Sequence, residues 1–220
     1  MTTPDKQIID NFTTSINTEA IDNENLENII EFTMNYKDFL ITDHLHPQLL
    51  ESAEPFDFET SGDPTAIADK LAKIMYDAKG VGISGNQIHY CNYRVIVLAA
   101  ASETDDQARL AMFNPTIVNV EGEVIMAEEA CLSYPGLWVK VKRPDLIRVR
   151  YTDEFGTTDT IKLKGFSSKV VQHQMDILDG VKWWKKANPI HLDQARRALT
   201  KQKKMIKRAK NRLQSYDLML

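Results

Sequence analysis

The sequence predicts an α+β fold in which helices enclose a mostly antiparallel sheet. Three observations carry this expectation. Apolar residues follow a helical period between Pro64 and Gly80 and again from about Ser167 to Gly180, while the stretch between them changes to short β-branched runs. The last two runs are joined by DEFG, Asp153–Gly156, a connection suited to a hairpin. The chain then closes on a long, strongly basic helical pattern.

Taken in order, residues 1–45 are polar and acidic, with a weak helical pattern in Leu26, Ile29, Ile30, Phe32, Met34 and Phe39, and form an N-terminal extension. Pro47, Pro55 and Ser61–Pro64 punctuate an irregular segment. Asp63 then caps a helix whose first turn contains Pro64 and whose apolar face is Ile67, Leu71, Ile74 and Met75. Strands are expected at 94–99, 116–120, 146–151 and 158–163. A central helix follows over about 167–179, stopped by Gly180. The last helix is expected over about 192–213. Its seam Leu192, Ala195, Leu199, Gln202, Ile206, Ala209, Leu213 steps alternately by three and four and wants a partner surface. The domain boundaries are therefore 1–45, 46–187 and 188–220.

Composition bounds the function. No apolar run approaches the roughly 20 residues of a membrane span, and the first residues have no signal-peptide pattern. Cys91 and Cys131 are too few for a disulfide framework, and a reducing, cytoplasmic setting is expected. The net charge is −4, but Lys182–Leu220 holds twelve Lys and Arg against Asp193 and Asp217, a local +10. An acidic body with a basic arm suits contact with RNA, an anionic surface or an acidic partner.

Three stretches carry groups suited to chemistry. GVGISGNQ, Gly80–Gln87, has three glycines that let the backbone approach something closely, and Gln87 offers an amide. EEACLSYPG, Glu128–Gly136, sets a Cys before a turn-prone Pro-Gly. QHQMDILDG, Gln172–Gly180, places one His on a helix. Each has an ordinary structural alternative: a loop, a small buried hydrophobe and a core histidine.

In this order the three stretches resemble the motifs G-x-G-[LI]-[AS]-A-x-Q, E-G-C-L-S and Q-H-E-x-D-H-L-x-G of the peptide deformylases. Those metal-dependent hydrolases remove the formyl group from the N-terminal Met of new proteins in bacteria and organelles. HPQLLESAEPF (His46–Phe56), FNPTI (Phe113–Ile117) and KRPDLIRVRYTDEFG (Lys142–Gly156) extend the resemblance to about residues 46–182. The resemblance implies a deformylase-like fold, with mostly antiparallel sheets around the central helix. It also implies an Fe2+ or Zn2+ ion held by one Cys and two His, a Glu that moves protons, and a Gln with a backbone N–H that stabilise the oxyanion.

Carried over by position, Gln87 matches the oxyanion Gln, Leu132 the backbone donor, Cys131 the thiolate ligand and His173 the first His ligand. Gly80 and Gly82 match the loop glycines, while Gly85 and Asn86 depart mildly, and with Gly136 these glycines are the candidate peptide-binding positions. Two departures fall on the chemistry. Gln174 replaces the Glu, and an amide can hold a water without taking its proton. Ile177 replaces the second His, leaving Cys131 and His173 as two ligands where zinc sites draw at least three. Ala130 stands where Gly precedes the Cys and tests whether that backbone needs a Gly-only conformation. Glu128, Glu129 and Asp176 are the visible groups that could swing in.

The expectation is a deformylase-like protein without catalytic activity, a pseudoenzyme. It would bind nascent or other peptides in its cleft or, as an assembly component of a ribosome-related or viral particle, dock through its ends. The resemblance makes the basic helix a ribosome or RNA contact, with no membrane partner. The alternative is a metal-dependent deformylase acting on formyl-Met with an altered metal site. A bacterial or virus-encoded cytoplasmic protein is expected in either case.

Overall fold

The computed structural model describes residues 39–99 and 109–217, with side chains to Met205. Helix α1, Pro64–Asp77, starts where Asp63 accepts a hydrogen bond from the Thr65 N–H at 2.9 Å. Pro64 fills the first helical position, which needs no N–H. Ala68, Leu71 and Met75 are buried on its inner face. Past its end, Lys79 takes a positive φ of 55°, so the expected stop at Gly80 is made one residue earlier.

Five antiparallel strands lie in sequence order: β1 Gly82–Ser84, β2 Val95–Ala99, β3 Arg109–Cys131, β4 Tyr134–Thr152 and β5 Thr158–Lys164. The α+β expectation holds, and the turn at Asp153–Gly156 forms as expected, with Gly156 N–H donating to the Asp153 carbonyl at 3.1 Å. Strands β3 and β4 run far beyond the expected 116–120 and 146–151. In β3 Val118, Val120, Val124 and Met126 turn to solvent among acidic neighbours, which blurs the period-two signal there, while β4 alternates with Leu137, Val139 and Val141 buried. The chain reverses at Leu132–Ser133, with Cys131 opposite Tyr134. Pro135 and Gly136, expected to form the turn, lie inside β4 instead. Gly80–Gln87, expected as a loop, contains β1 and a tight 3-10 turn at Gly85–Gln87.

Helix α2, Phe166–Leu178, leaves Gly165 at φ 64° and ends before Gly180 at φ 68°. Val171, Met175 and Leu178 pack with Ile96, Met112, Ile147 and Val149 of the sheet. A second apolar cluster gathers Ile177, Tyr134, Leu137, Trp183 and Trp184, so the two tryptophans anchor the chain that leads to the last helix. That helix, α3, spans Pro189–Asp217. It begins before the expected Leu192 because Asn188 accepts from the Ile190 N–H at 2.9 Å and Pro189 suits the first turn. Leu192, Ala195 and Leu199 pack onto the same cluster. The rest of the expected seam, Ile206, Ala209 and Leu213, lies outside the described side chains.

Residues 39–45, expected in the extension, pair with the loop that carries Gln87. Ile41 N–H donates to the Gln87 carbonyl at 2.8 Å, and His89 N–H to that of Phe39 at 2.7 Å. Apart from Phe39, the helix expected over Leu26–Phe39 lies outside the described residues. Among the described residues no helix is long and apolar enough to cross a membrane.

Candidate active site

The three motif stretches meet where α2 crosses the mouth of the β3–β4 hairpin. The 3-10 turn after β1 presents Gln87, which is fully buried. Its Oε1 accepts from Ser84 N–H at 3.0 Å and from Ser84 Oγ at 3.2 Å, which fixes the amide. Its Nε2 donates to Ser133 Oγ at 3.1 Å and points at Cys131 Sγ, 3.5 Å away. Two residues outside the expected set hold this turn. Asn86 Nδ2 donates to the Ile177 carbonyl at 2.7 Å, and Gln48 Nε2 gathers the carbonyls of Asn86, Ile88 and Cys91 at 2.9–3.1 Å.

Cys131 ends β3 and is half-buried. Alternation along β3 turns Glu129 inward and Glu128 to solvent. Glu129 accepts from Arg143 Nε at 2.7 Å and Nη2 at 2.9 Å, a bidentate pair, and from His173 Nδ1 at 2.9 Å. Arg143 Nη1 also donates to Asp176 Oδ2 at 2.6 Å, and Lys186 Nζ to Asp176 Oδ1 at 2.6 Å. Glu129 and Asp176 are thus committed to this network, and Glu128 faces away. None of the three swings in as a substitute group.

His173 is 6% exposed. Burial would lower its pKa, but Cys131 and Glu129 outweigh that and push it up to about 9. Burial likewise opposes ionisation of Glu129, and the hydrogen bonds and charges of Arg143 and His173 hold its carboxyl down at about 2. The second ring nitrogen, Nε2, is buried without a hydrogen-bond partner, as is Gln174 Oε1.

The glycines have distinct neighbours. A Cβ on Gly82 would come within 2.6 Å of Val170 Cγ1 and 3.3 Å of Gln174 Nε2, so β1 passes tightly under α2 there. At Gly85 it would strike the Tyr93 carbonyl and stand 3.1 Å from Cys91 Sγ, which explains the departure to Gly at that position. A Cβ on Gly80 would lie 2.9 Å from Leu132 Cδ1, and one on Gly136 2.8 Å from Leu199 Cδ1 of α3. Positive φ among the described non-glycine residues falls on Lys79, Tyr90 and Asn114, so Ala130 sits in a backbone that any residue adopts.

Ile177 is 4% exposed and lies in the apolar cluster with Tyr134, Leu137 and Trp183, against which Cys131 packs. The void bounded by Cys131, Ser133, Ile177 and His44 is about 10 Å3, room for about one water. A larger space of about 430 Å3 lies behind α2 among Arg94, Arg143, Asp176 and Lys186, whose charges pair with one another or with Asp179 and Glu129.

A family model described as "Polypeptide deformylase" matches residues 39–192, most of the chain and all of this site. The chain belongs to the peptide deformylase family. Peptide deformylase 2 of Xanthomonas campestris pv. campestris is 32% identical over 162 residues, 73% of this chain and 93% of its own. The peptide deformylase of Picosynechococcus sp. is 39% identical over 115 residues, 52% of this chain and 61% of its own. The chain thus spans about three fifths of the length of the cyanobacterial relatives it matches. A Synechococcus elongatus peptide deformylase, solved in complex with actinonin, superposes with a TM-score of 0.65 at 28% identity, covering 71% of this chain and 85% of that one.

The family uses a metal ion, and the donors present here were measured against that need. Cys131 and His173 are the two donors that the family's pattern leaves in this sequence, and Ile177 stands at the third position of that pattern. Among the described residues no group of three or more His, Cys, Asp or Glu is placed to hold an ion. The donor set does not fit the family's ion. The structure brings Gln87 against Cys131 and Ser133, and His173 against Glu129. Sequence reasoning gave no role to Arg143, Asn86, Gln48 or Ser133; Asn86 and Ser133 sit inside the motif stretches, whereas Arg143 and Gln48 carry no local mark.

Proposed function

We propose that this deformylase-family chain receives the N-terminus of a formyl-Met polypeptide in the family's cleft without the metal-dependent hydrolysis of its relatives. The observation that carries this is Ile177, buried at the third ligand position, together with Gln174 in place of the proton-moving Glu. A hydrocarbon contributes no electron pair to an ion, and an amide near neutral pH neither takes nor gives a proton. Two features support the reading: among the described residues β1 is an edge strand paired with β2, the kind of edge to which an extended peptide adds, and the Gln87 amide is held in one orientation by Ser84.

The basic helix α3 supplies a second contact in this reading. Arg196, Arg197, Lys201 and Lys204 border a shallow groove on its outer side, suited to the phosphates of RNA, with the ribosome as the natural partner. Salt-sensitive co-sedimentation with ribosomes, lost when Arg196, Arg197, Lys201 and Lys204 are changed to Gln, is the expected outcome. Binding unchanged by salt or by those variants would remove this part.

The second reading is a metal-dependent deformylase with an altered site, favoured by the name that its relatives carry. Metal analysis of purified protein and a formyl-Met-peptide assay separate the two. Tight metal together with formate release that a chelator abolishes would establish the second reading and overturn the first.

A further inference from the structure

Strand β4 has an outward face that takes no part in the site. Leu137, Val139, Val141, Arg143, Ile147 and Val149 are all buried, so the in-and-out alternation keeps one phase along the strand. The intervening positions share the other face, where Trp138, Lys140, Lys142, Arg148 and Arg150 are exposed. Strand β5 extends this face, with exposed Lys162 opposite Arg148 and exposed Lys164 opposite Leu146. Of the 27 Lys and Arg in the chain, twelve stand in Lys182–Leu220 and fifteen in the acidic remainder. Six of those fifteen lie on this face.

Little of that charge is used within the fold. Arg148 pairs with Glu121 at 3.2 Å, and Glu128 stands opposite Lys140 in the register. Apart from Arg148, the cations of the face make no ion pair among the described residues. Apolar groups are set between them: Trp138 is 59% exposed, Met126 lies opposite Lys142 and Val124 opposite Pro144, both exposed. Positions two apart on a strand stand about 7 Å from one another, so Lys140 to Arg150 makes a cationic track about 33 Å long. A protein partner would call for an apolar centre with charges at the rim. Here cations and apolar groups alternate, and that order suits phosphates and unstacked bases taken in turn.

We propose that the outward face of β4 and β5 is a binding track for single-stranded RNA, with Trp138 as a stacking platform for a base. Lys140, Lys142, Arg148 and Arg150 hold successive phosphates along the strand, and Lys162 and Lys164 widen the track. The face is separate from the groove on α3 and from the peptide cleft, so it stands or falls without either.

The test uses the full chain carrying Gln at Arg196, Arg197, Lys201 and Lys204, which removes the α3 groove from the measurement. Single-stranded oligouridine of about 12 nucleotides is titrated at several salt concentrations, with tryptophan emission and the anisotropy of labelled RNA as readouts. Trp183 and Trp184 are 1% and 6% exposed, so quenching on binding reports Trp138. Further changing Lys140, Lys142, Arg148 and Arg150 to Gln is expected to weaken binding at least about 10-fold and to reduce the slope of log affinity against log salt by about 3. Trp138→Ala should weaken binding about 10-fold and leave that slope unchanged, because stacking releases no counterions. All changed side chains are exposed, and an unaltered melting curve checks that each variant folds. RNA affinity unchanged by the four substitutions on β4, or binding that neither quenches Trp138 nor responds to Trp138→Ala, overturns the track. Binding abolished by the α3 substitutions alone assigns RNA to that helix and likewise overturns it. Polyglutamate bound as tightly and with the same quenching overturns RNA in favour of an acidic protein partner. Binding of phosphatidylserine vesicles through these residues, with no binding of RNA, overturns it in favour of a membrane surface.

Discussion

Two layers of one site meet on α2, and they differ in completeness. Behind the helix, Glu129, Arg143, Asp176 and Lys186 form a network in which every charge has a partner at 2.6–2.9 Å. In front of it, His173 Nε2 and Gln174 Oε1 are buried without hydrogen-bond partners, and Ile177 is a buried hydrocarbon. The supporting layer is complete, and the unpartnered groups are confined to the front. A buried network left half-satisfied costs far more than one removed whole, so it is expected to persist when the chemistry in front of it alters.

Breaking the rear layer should have the largest effect. Arg143→Met takes two hydrogen bonds from buried Glu129 and one from Asp176, leaving them His173 and Lys186 as charged partners, and is expected to cost about 3 kcal/mol, read from urea denaturation. A much smaller loss would mean that those two partners suffice.

Acid and base should separate the contributions of the two sides of the Glu129–His173 pair. Glu129 has its ordinary value of 4.5 lowered to about 2, so its contribution is complete above about 4.5 and lost as pH falls toward 2. His173 has its ordinary 6.5 raised to about 9, so its contribution is complete below about 6.5 and lost as pH rises through 9. The wild-type chain should be most stable between those limits. Glu129→Gln should flatten the acid limb of melting temperature against pH; an unchanged acid limb would place the sensitivity elsewhere.

In the loop that carries Gln87, Gly85→Ala forces a methyl group against the Tyr93 carbonyl and Cys91, and a loss of about 1–3 kcal/mol is expected. The smallest effect belongs to the outer side of α3. Lys201→Gln with Lys204→Gln should change stability by no more than about 0.5 kcal/mol, because both side chains are exposed.

The same contrast explains what the sequence made legible. α1, α2, β2 and β5 were visible because their apolar periods match the face they bury, and Asp63–Pro64 marked a helix start that forms. The full reach of β3 was not, since Val118, Val120, Val124 and Met126 face solvent, whereas β4 does alternate, with Leu137, Val139 and Val141 inward, although no strand is expected there. Gln87, Cys131 and His173 were readable because each sits in a short stretch with its own motif. Arg143 lies 14 residues from Glu129 and 33 from Asp176 along the chain, and Asn86 lies 91 from Ile177, so only folding brings their roles out. Ala130 shows the reverse case: a departure that looked informative falls in ordinary backbone.

The most direct test of the central claim, that the front layer lacks a metal-holding set, is metal stoichiometry. The wild-type chain and the double variant Gln174→Glu, Ile177→His are loaded anaerobically with Fe2+ or Zn2+, passed through a chelating column and measured for metal per chain. The account expects the wild-type chain to emerge essentially free of metal and the double variant to retain about one ion, because it regains a third ligand. One tightly held ion on the wild-type chain would contradict it.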